Sequence, residues 1–265
     1  MRVTVDDALI DVETAGDGSA ILLLHGFPLS REIWDAQAAE LQKTARVIRP
    51  DLRGMGRSSS SDGPYLMEAL AGDVAAVLDA MRVERVTLIG HSLGGYVAMA
   101  FARMYAERVE RIVLVCSRLA ADAPATARER EALADSCERE NSMEPVLRAY
   151  LPRLLAPETW SRRSEIAARV AGIIRRNDPL GAAAMLRGMA QRSPSEDIAG
   201  DLEMPVLVIG GSRDAIVPPA EIASIATLFP RGETAQLEHS GHLPMLEQPA
   251  ELYETIALWS GGHLG

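Results

Sequence analysis

Cysteine is scarce in this sequence, and so is positive charge. Only Cys116 and Cys137 occur in 265 residues. One disulfide is arithmetically possible, but the spacing suggests no disulfide framework. Cys116 closes the apolar run IVLVC and reads as a small buried hydrophobe. A reducing cytoplasm is the expected compartment. With a net charge of −10 and a pI near 5.1, the chain lacks the basic footprint of a nucleic-acid binder. No apolar run approaches the roughly 18 residues of a membrane span. The opening MRVTVDDALID has no basic-then-apolar leader layout and reads as mature sequence. Internal repeats and low-complexity tracts are missing too. The serine run at 58–61 follows a glycine-rich loop and reads as a flexible connection.

What is present is the balance of a globular protein, 48% apolar and 24% charged. Arg2–Val5 and residues 9–14 read as β segments. Ala20–Leu24 (AILLL) is wholly apolar, as expected of a strand covered on both faces. Residues 46–48, 85–89, 111–115 and 206–209 repeat that pattern. Between them, residues 66–81 place Leu66, Leu70, Val74, Val77, Leu78 and Met81 on one helical face. Residues 93–105 and 250–259 are similar. Strands alternating with helices imply βαβ units and a mainly parallel sheet.

Residues 118–195 break the alternation. They contain no convincing strand, and their helical stretches are punctuated by Pro124, Pro145, Pro152, Pro157, Pro179 and Pro194. The segment reads as a helical insertion between two strands, with residues 1–117 and 196–265 forming the core. It carries 13 of the 27 basic residues against 10 of the 37 acidic ones, a local excess of +3. Solvated helix faces explain that excess; a mildly cationic lid over a site for anionic substrates is the other reading.

The most informative stretch is RVTLIGHSLGGYVAMAFA at 85–102. A buried strand runs into Gly90-His91-Ser92-Leu93-Gly94, and a small-residue helix follows. This is a G-x-S-x-G elbow in its strand–turn–helix context. Glycines are needed on both sides because a Cβ would collide with the neighbouring strand and helix. The serine hydroxyl would then stand at a helix start whose free N–H groups favour developing negative charge. Ser92 is the candidate nucleophile. LLLHGFPLS at 22–30 ends the first wholly apolar strand in a turn. Acyl transfer needs two N–H donors aimed at the oxyanion; those of Phe27 and Leu93 are the candidates. His25 reads as a brace for its turn.

With these pieces in hand, the chain resembles the α/β-hydrolase superfamily. The matching segments are HGFP at 25–28, PDLRGMGRS at 50–58, GHSLGG at 90–95, GSRDAIVP at 211–218 and SGHLPMLEQP at 240–249. The resemblance implies an eight-stranded, mostly parallel sheet flanked by helices, with the cap inserted after the sixth strand. Asp51 and Arg53 in the second motif are expected to be structural. The superfamily orders its triad Ser…Asp/Glu…His. Asp214, in PVLVIGGSRDAIVPP, follows an apolar strand at the carboxyl edge of the sheet, where open α/β folds bind ligands. Some members place the acid after the sixth strand; Asp122 is the nearest carboxylate there, but it lies within the cap.

Five histidines make elimination possible. His25 and His91 belong to other motifs, and His263 sits in the terminal GGHLG, a segment expected to fray. The family pattern is a glycine, the base, then an acidic residue and proline. Gly241-His242 with Glu247 and Pro249 fits it, and His239 does not. The two histidines also lack the ligand set zinc needs. No metal or cofactor is expected.

Serine at position 92 argues against the superfamily's epoxide hydrolases and dehalogenases, which use a carboxylate nucleophile. A serine, an oxyanion hole and a histidine base suit acyl transfer. The motifs are most similar to small bacterial carboxylesterases and 3-oxoadipate enol-lactonases, and also to cofactor-free haloperoxidases. The expected substrate is a small-molecule ester or lactone. Thioester and C–C hydrolysis share these motifs, and a triad-bearing small-molecule receptor is the reading from another class. Met143, Trp160, Met185 and Met189 are candidate pocket walls in the cap; Trp34 reads as packing.

Overall fold

The structure, a computed structural model, describes residues 1–261. Its eight strands are β1 (Arg2–Val5), β2 (Ala8–Ala15), β3 (Ala20–Leu24), β4 (Arg46–Pro50), β5 (Val86–His91), β6 (Val109–Val115), β7 (Val206–Gly211) and β8 (Gly232–Leu237). They form one sheet in the order β1-β2-β4-β3-β5-β6-β7-β8. The β1/β2 and β2/β4 pairs are antiparallel, and every other neighbouring pair is parallel.

The apolar runs explain the centre of the sheet. Every residue of β3, β5 and β7 is buried, as is the apolar end of β6, because helices cover both faces. Each of Ile21, Leu22, Leu23 and Leu24, fully buried, contributes about 1.5–3 kcal/mol of transfer free energy. The register sets Leu24 beside Gly90 and His91 beside Val115, so the carboxyl ends of β3, β5 and β6 form one edge. β8 was not legible as an apolar run. It is an edge strand, GETAQL, with a mostly exposed or half-exposed face.

Three helices precede the insert: α1 (Asp35–Leu41), α2 (Met67–Ala80) and α3 (Leu93–Met104). Leu70, Val74, Val77 and Leu78 of α2 are buried as the periodicity predicts. Leu66 is not: it is the residue before the helix and stands 38% exposed.

After β6 comes an all-helical insert of α4 (Pro124–Glu140), α5 (Glu144–Leu154), α6 (Pro157–Arg162), α7 (Ser164–Arg175), α8 (Pro179–Ala190) and α9 (Glu196–Ala199). This is the α/β-hydrolase arrangement, and the insert runs a turn beyond residue 195. Four of the six punctuating prolines open α4, α5, α6 and α8 within their first two positions, where the missing N–H has no intrahelical partner to lose, whereas Pro152 lies inside α5 and Pro194 in the loop after α8. The chain then completes the core with α10 (Pro219–Ala226), α11 (Pro244–Glu247) and α12 (Pro249–Trp259).

Candidate active site

Ser92 lies between β5 and α3 at φ 49° and ψ −111°, a conformation that costs a non-glycine residue about 1–3 kcal/mol. The surroundings impose it. Ser92 N–H donates to the Val115 carbonyl at 2.9 Å, and the Ser92 carbonyl accepts from Gly95 N–H at 2.9 Å and Ser117 Oγ–H at 2.8 Å. The flanking glycines leave no alternative. A Cβ on Gly94 would stand 2.3 Å from the Leu24 carbonyl oxygen, and one on Gly90 2.4 Å from the Gly94 oxygen. Strand, turn and helix are therefore packed to backbone contact around one partly exposed serine.

Asp214 follows β7 and His242 lies in the loop after β8. His242 Nδ1–H donates to Asp214 Oδ2 at 2.7 Å, with both side chains buried. Asp214 Oδ1 accepts two backbone N–H groups, from Ile216 at 2.7 Å and Val217 at 3.0 Å. Burial alone would raise the Asp214 pKa. The adjacent imidazole and the two amides outweigh it and hold the carboxyl below its ordinary value. The carboxylate thus stays ionised and fixes which imidazole nitrogen carries the proton.

His242 is held through its backbone as well. His242 N–H donates to the Leu154 carbonyl of α5 at 3.1 Å, and its own carbonyl accepts from His91 Nε2–H at 2.7 Å. The two imidazole rings lie 4.9 Å apart, which brings His242 against the neighbour of Ser92. Burial, reinforced by His242, pushes the His91 pKa well below its usual value, so His91 is a neutral donor. Glu247 holds the residues on either side of the base. Its Oε1 accepts Gly241 N–H at 2.9 Å and Leu243 N–H at 3.3 Å, while Oε2 accepts Ala156 N–H at 2.8 Å and Thr159 Oγ1–H at 2.6 Å. The sequence marks Glu247 only as part of a motif; its link between the base loop and the start of α6 is visible only in three dimensions.

The loop after β3 is braced by His25, whose Nδ1–H donates to the Gly26 carbonyl at 3.0 Å and whose Nε2 accepts Leu52 N–H at 2.9 Å. Neither Phe27 N–H nor Leu93 N–H donates to another described residue, so both amides are free to take an incoming oxygen. Asp51 accepts Arg31 N–H and Arg57 N–H, and Arg53 is paired with Asp73 and Asp7. Both act in the scaffold. Asp122 is held by Arg130 and Arg192, away from the His242 ring's partner. His239 is exposed at φ 59°, and His263 lies outside the described residues. Trp34 is fully buried.

Among the described residues, one group has metal-ligand proximity: Cys116 Sγ, an Asp214 oxygen and a His242 nitrogen lie within 4.8 Å of one another. Its donors are committed elsewhere. Asp214 uses both oxygens in the bonds above, and burial, then Asp214 itself, raises the Cys116 thiol well above its usual pKa. The set fits a hydrogen-bonded acid–base pair beside a neutral thiol better than a cation.

A cavity of about 520 Å³ lies alongside, between α4, α5 and the turn after β7. Two of its walls touch the site. Ile216 donates to Asp214, and the Tyr150 ring meets the Phe27 ring edge-on at a centroid distance of 5.3 Å. None of the four expected pocket residues lines it. Met143 and Met185 are packed in the core, Trp160 is 37% exposed on α6, and Met189 reaches only the back of the wall, its sulfur 3.6 Å from Arg130 Nη1. The wall comes instead from Arg118, Arg130, Tyr150, Arg153 and their neighbours.

A mostly parallel sheet interrupted after its sixth strand by a helical cap, with a strained serine and an Asp–His pair at its carboxyl edge, defines an α/β hydrolase. The model of the alpha/beta hydrolase family matches residues 21–255, and the chain belongs to that family. Among solved structures it is similar to a thermophilic esterase from Thermogutta terrifontis, with 36% identity, a TM-score of 0.94 and coverage of 98% of this chain and 97% of that one. It is also similar to the enol-lactonase from Burkholderia xenovorans LB400, at 25% identity and a TM-score of 0.90 over 98% and 99% of the two chains. A 3-oxoadipate enol-lactonase of Acinetobacter baylyi is 26% identical, over 93% of this chain and 91% of its own.

Proposed function

We propose that the protein is a serine hydrolase that cleaves carboxylic esters of small molecules through an acyl-enzyme. The observation that carries this reading is the buried 2.7 Å hydrogen bond between Asp214 and His242 at the sheet edge that also presents Ser92. Ser92 attacks the carbonyl carbon as His242 Nε2 takes its proton. The Phe27 and Leu93 amides stabilise the oxyanion. His242 then protonates the leaving alcohol and activates water for deacylation, while Asp214 keeps the imidazole in its working tautomer and stabilises its charge.

In this reading residues 1–117 and 196–265 carry the chemistry, and the cap over 118–195 sets selectivity. No cofactor takes part. The two free, buried thiols suit a reducing cytoplasm. Among the described residues, no helix is long and apolar enough to cross a membrane.

Steady-state assays with short-chain p-nitrophenyl esters test the proposal. Sustained turnover that disappears in Ser92→Ala is the expected result; turnover unchanged in that variant refutes the mechanism, and a single slow acylation favours a receptor. The enol-lactonase relatives give a second reading some weight. Ring opening of an enol-lactone far faster than cleavage of any linear ester would shift the assignment to a lactonase.

A further inference from the structure

The cavity beside the site is lined by more donors than acceptors. Arg118, on the segment after β6, directs Nη2 to the Ile216 carbonyl at 2.8 Å and to Glu221 at 3.1 Å, which leaves Nη1 without a partner among the described residues. Arg153, exposed near the end of α5, has no ion-pair partner among the described residues. Tyr150 Oη accepts from Arg130 Nη1 at 2.8 Å, and its own proton meets no acceptor among the described residues. Burial raises the Tyr150 pKa, with Arg130 offsetting only part of it, so the phenol remains a donor.

Few groups compete for these donors. Ser136 spends its proton on the Ala132 carbonyl, and Glu129 is the one carboxylate in the wall. Behind the wall a single carboxylate, Asp122, serves both Arg130 and Arg192 at 2.5 Å each. The wall itself sets Arg118, Arg130 and Arg153 against Glu129 alone, a local excess of positive charge in a chain whose net charge is −10.

We propose that this cavity is an anion subsite of the hydrolase. It holds an ionised carboxylate carried by the substrate between the Arg153 guanidinium, Arg118 Nη1–H and Tyr150 O–H. The preferred esters then bear a second, free acid group. The proposal rests on the ester-hydrolase reading and adds the substrate class to it. A carboxylate suits the site because its planar oxygens match guanidinium geometry.

The test compares monomethyl and dimethyl glutarate, which differ at the distal end by one charge and one methyl group. The wild type should have the higher kcat/KM on the monoester relative to the diester, and Arg153→Gln should lower that ratio about tenfold, the effect of one charge-assisted hydrogen bond. Arg128→Gln removes the same charge from an exposed position on α4 outside the wall and should keep the ratio. Equal ratios in the two variants would overturn the subsite. A binding arm needs no turnover: monomethyl glutarate should raise the Tm of Ser92→Ala more than dimethyl glutarate or inorganic phosphate does, and Arg153→Gln should cancel the difference. If the monoester and the diester act alike, the subsite is wrong. Monoester binding without cleavage of any ester by the wild type would instead overturn the hydrolase reading alone.

Discussion

His239 and His242 stand three residues apart in the sequence and in different chemical settings. His242 is buried, with Nδ1 bonded to Asp214 and its backbone tied to Leu154 and His91. His239 is exposed in a left-handed turn, and its amide bonds to Ser212. His242→Ala should therefore lower kcat by at least about 10⁴-fold, as loss of a triad base does elsewhere. His239→Ala should retain most of the activity; equal losses in the two variants would refute the assignment. Asp214 makes a second prediction. Its carboxyl is held below the ordinary value, so the stability it contributes is fully present above the usual carboxylate range and is lost as pH falls through the lowered value. In denaturant titrations across pH, Asp214→Asn should lack that acid-side loss; a difference from the wild type that stays constant with pH would contradict it. That these two residues meet could be anticipated in the sequence because glycines and prolines fix their places relative to strands. That Arg118, Tyr150 and Arg153 wall one cavity could not, since helical periodicity marks the apolar face of a helix but not which cavity its polar residues wall.

Elements with one dominant physical cause were readable. AILLL and VLVIGG could only be strands covered on both sides, and proline placed the starts of four cap helices. β8 escaped because an edge strand packs on few neighbours, so GETAQL needs no apolar run. The role of Glu247 escaped for a different reason: its four donors come from residues 156, 159, 241 and 243. Glu247→Gln would turn an N–H₂ toward backbone amides, which can only donate. A loss of about 1–3 kcal/mol of stability is expected from the unmet donors, read by chemical denaturation. A melt indistinguishable from the wild type would show that the loop and α6 are held by other contacts.

For the molecule as a whole, the cap is joined to the core by a mixture of strong and weak contacts. Asn177 is buried and bonds to the Pro28 carbonyl at 2.9 Å and to Gly56 N–H at 2.7 Å, next to the loop after β3. Arg169 and Arg176 reach Asp35 and Glu32 through exposed pairs, each worth no more than about 1 kcal/mol. Amide exchange should rank accordingly, slowest in β5 and β6, and faster in α4 and α5, which wall the cavity on the exposed side. Protection of α4 equal to that of β5 would argue for a single cooperative unit.

The place where the cap leaves the sheet has a further consequence. β6 and β7 are direct neighbours, with Ile112 paired to Val206 and Val115 to Ile209. The whole excursion therefore departs from and returns to adjacent parallel strands. Its length and shape can vary without altering the register of the sheet, provided that residues 154–159 keep their bonds to His242 and Glu247. The cap is in effect a cassette clipped to the loop of the base by one short segment, and divergence is freest in the helices away from that clip.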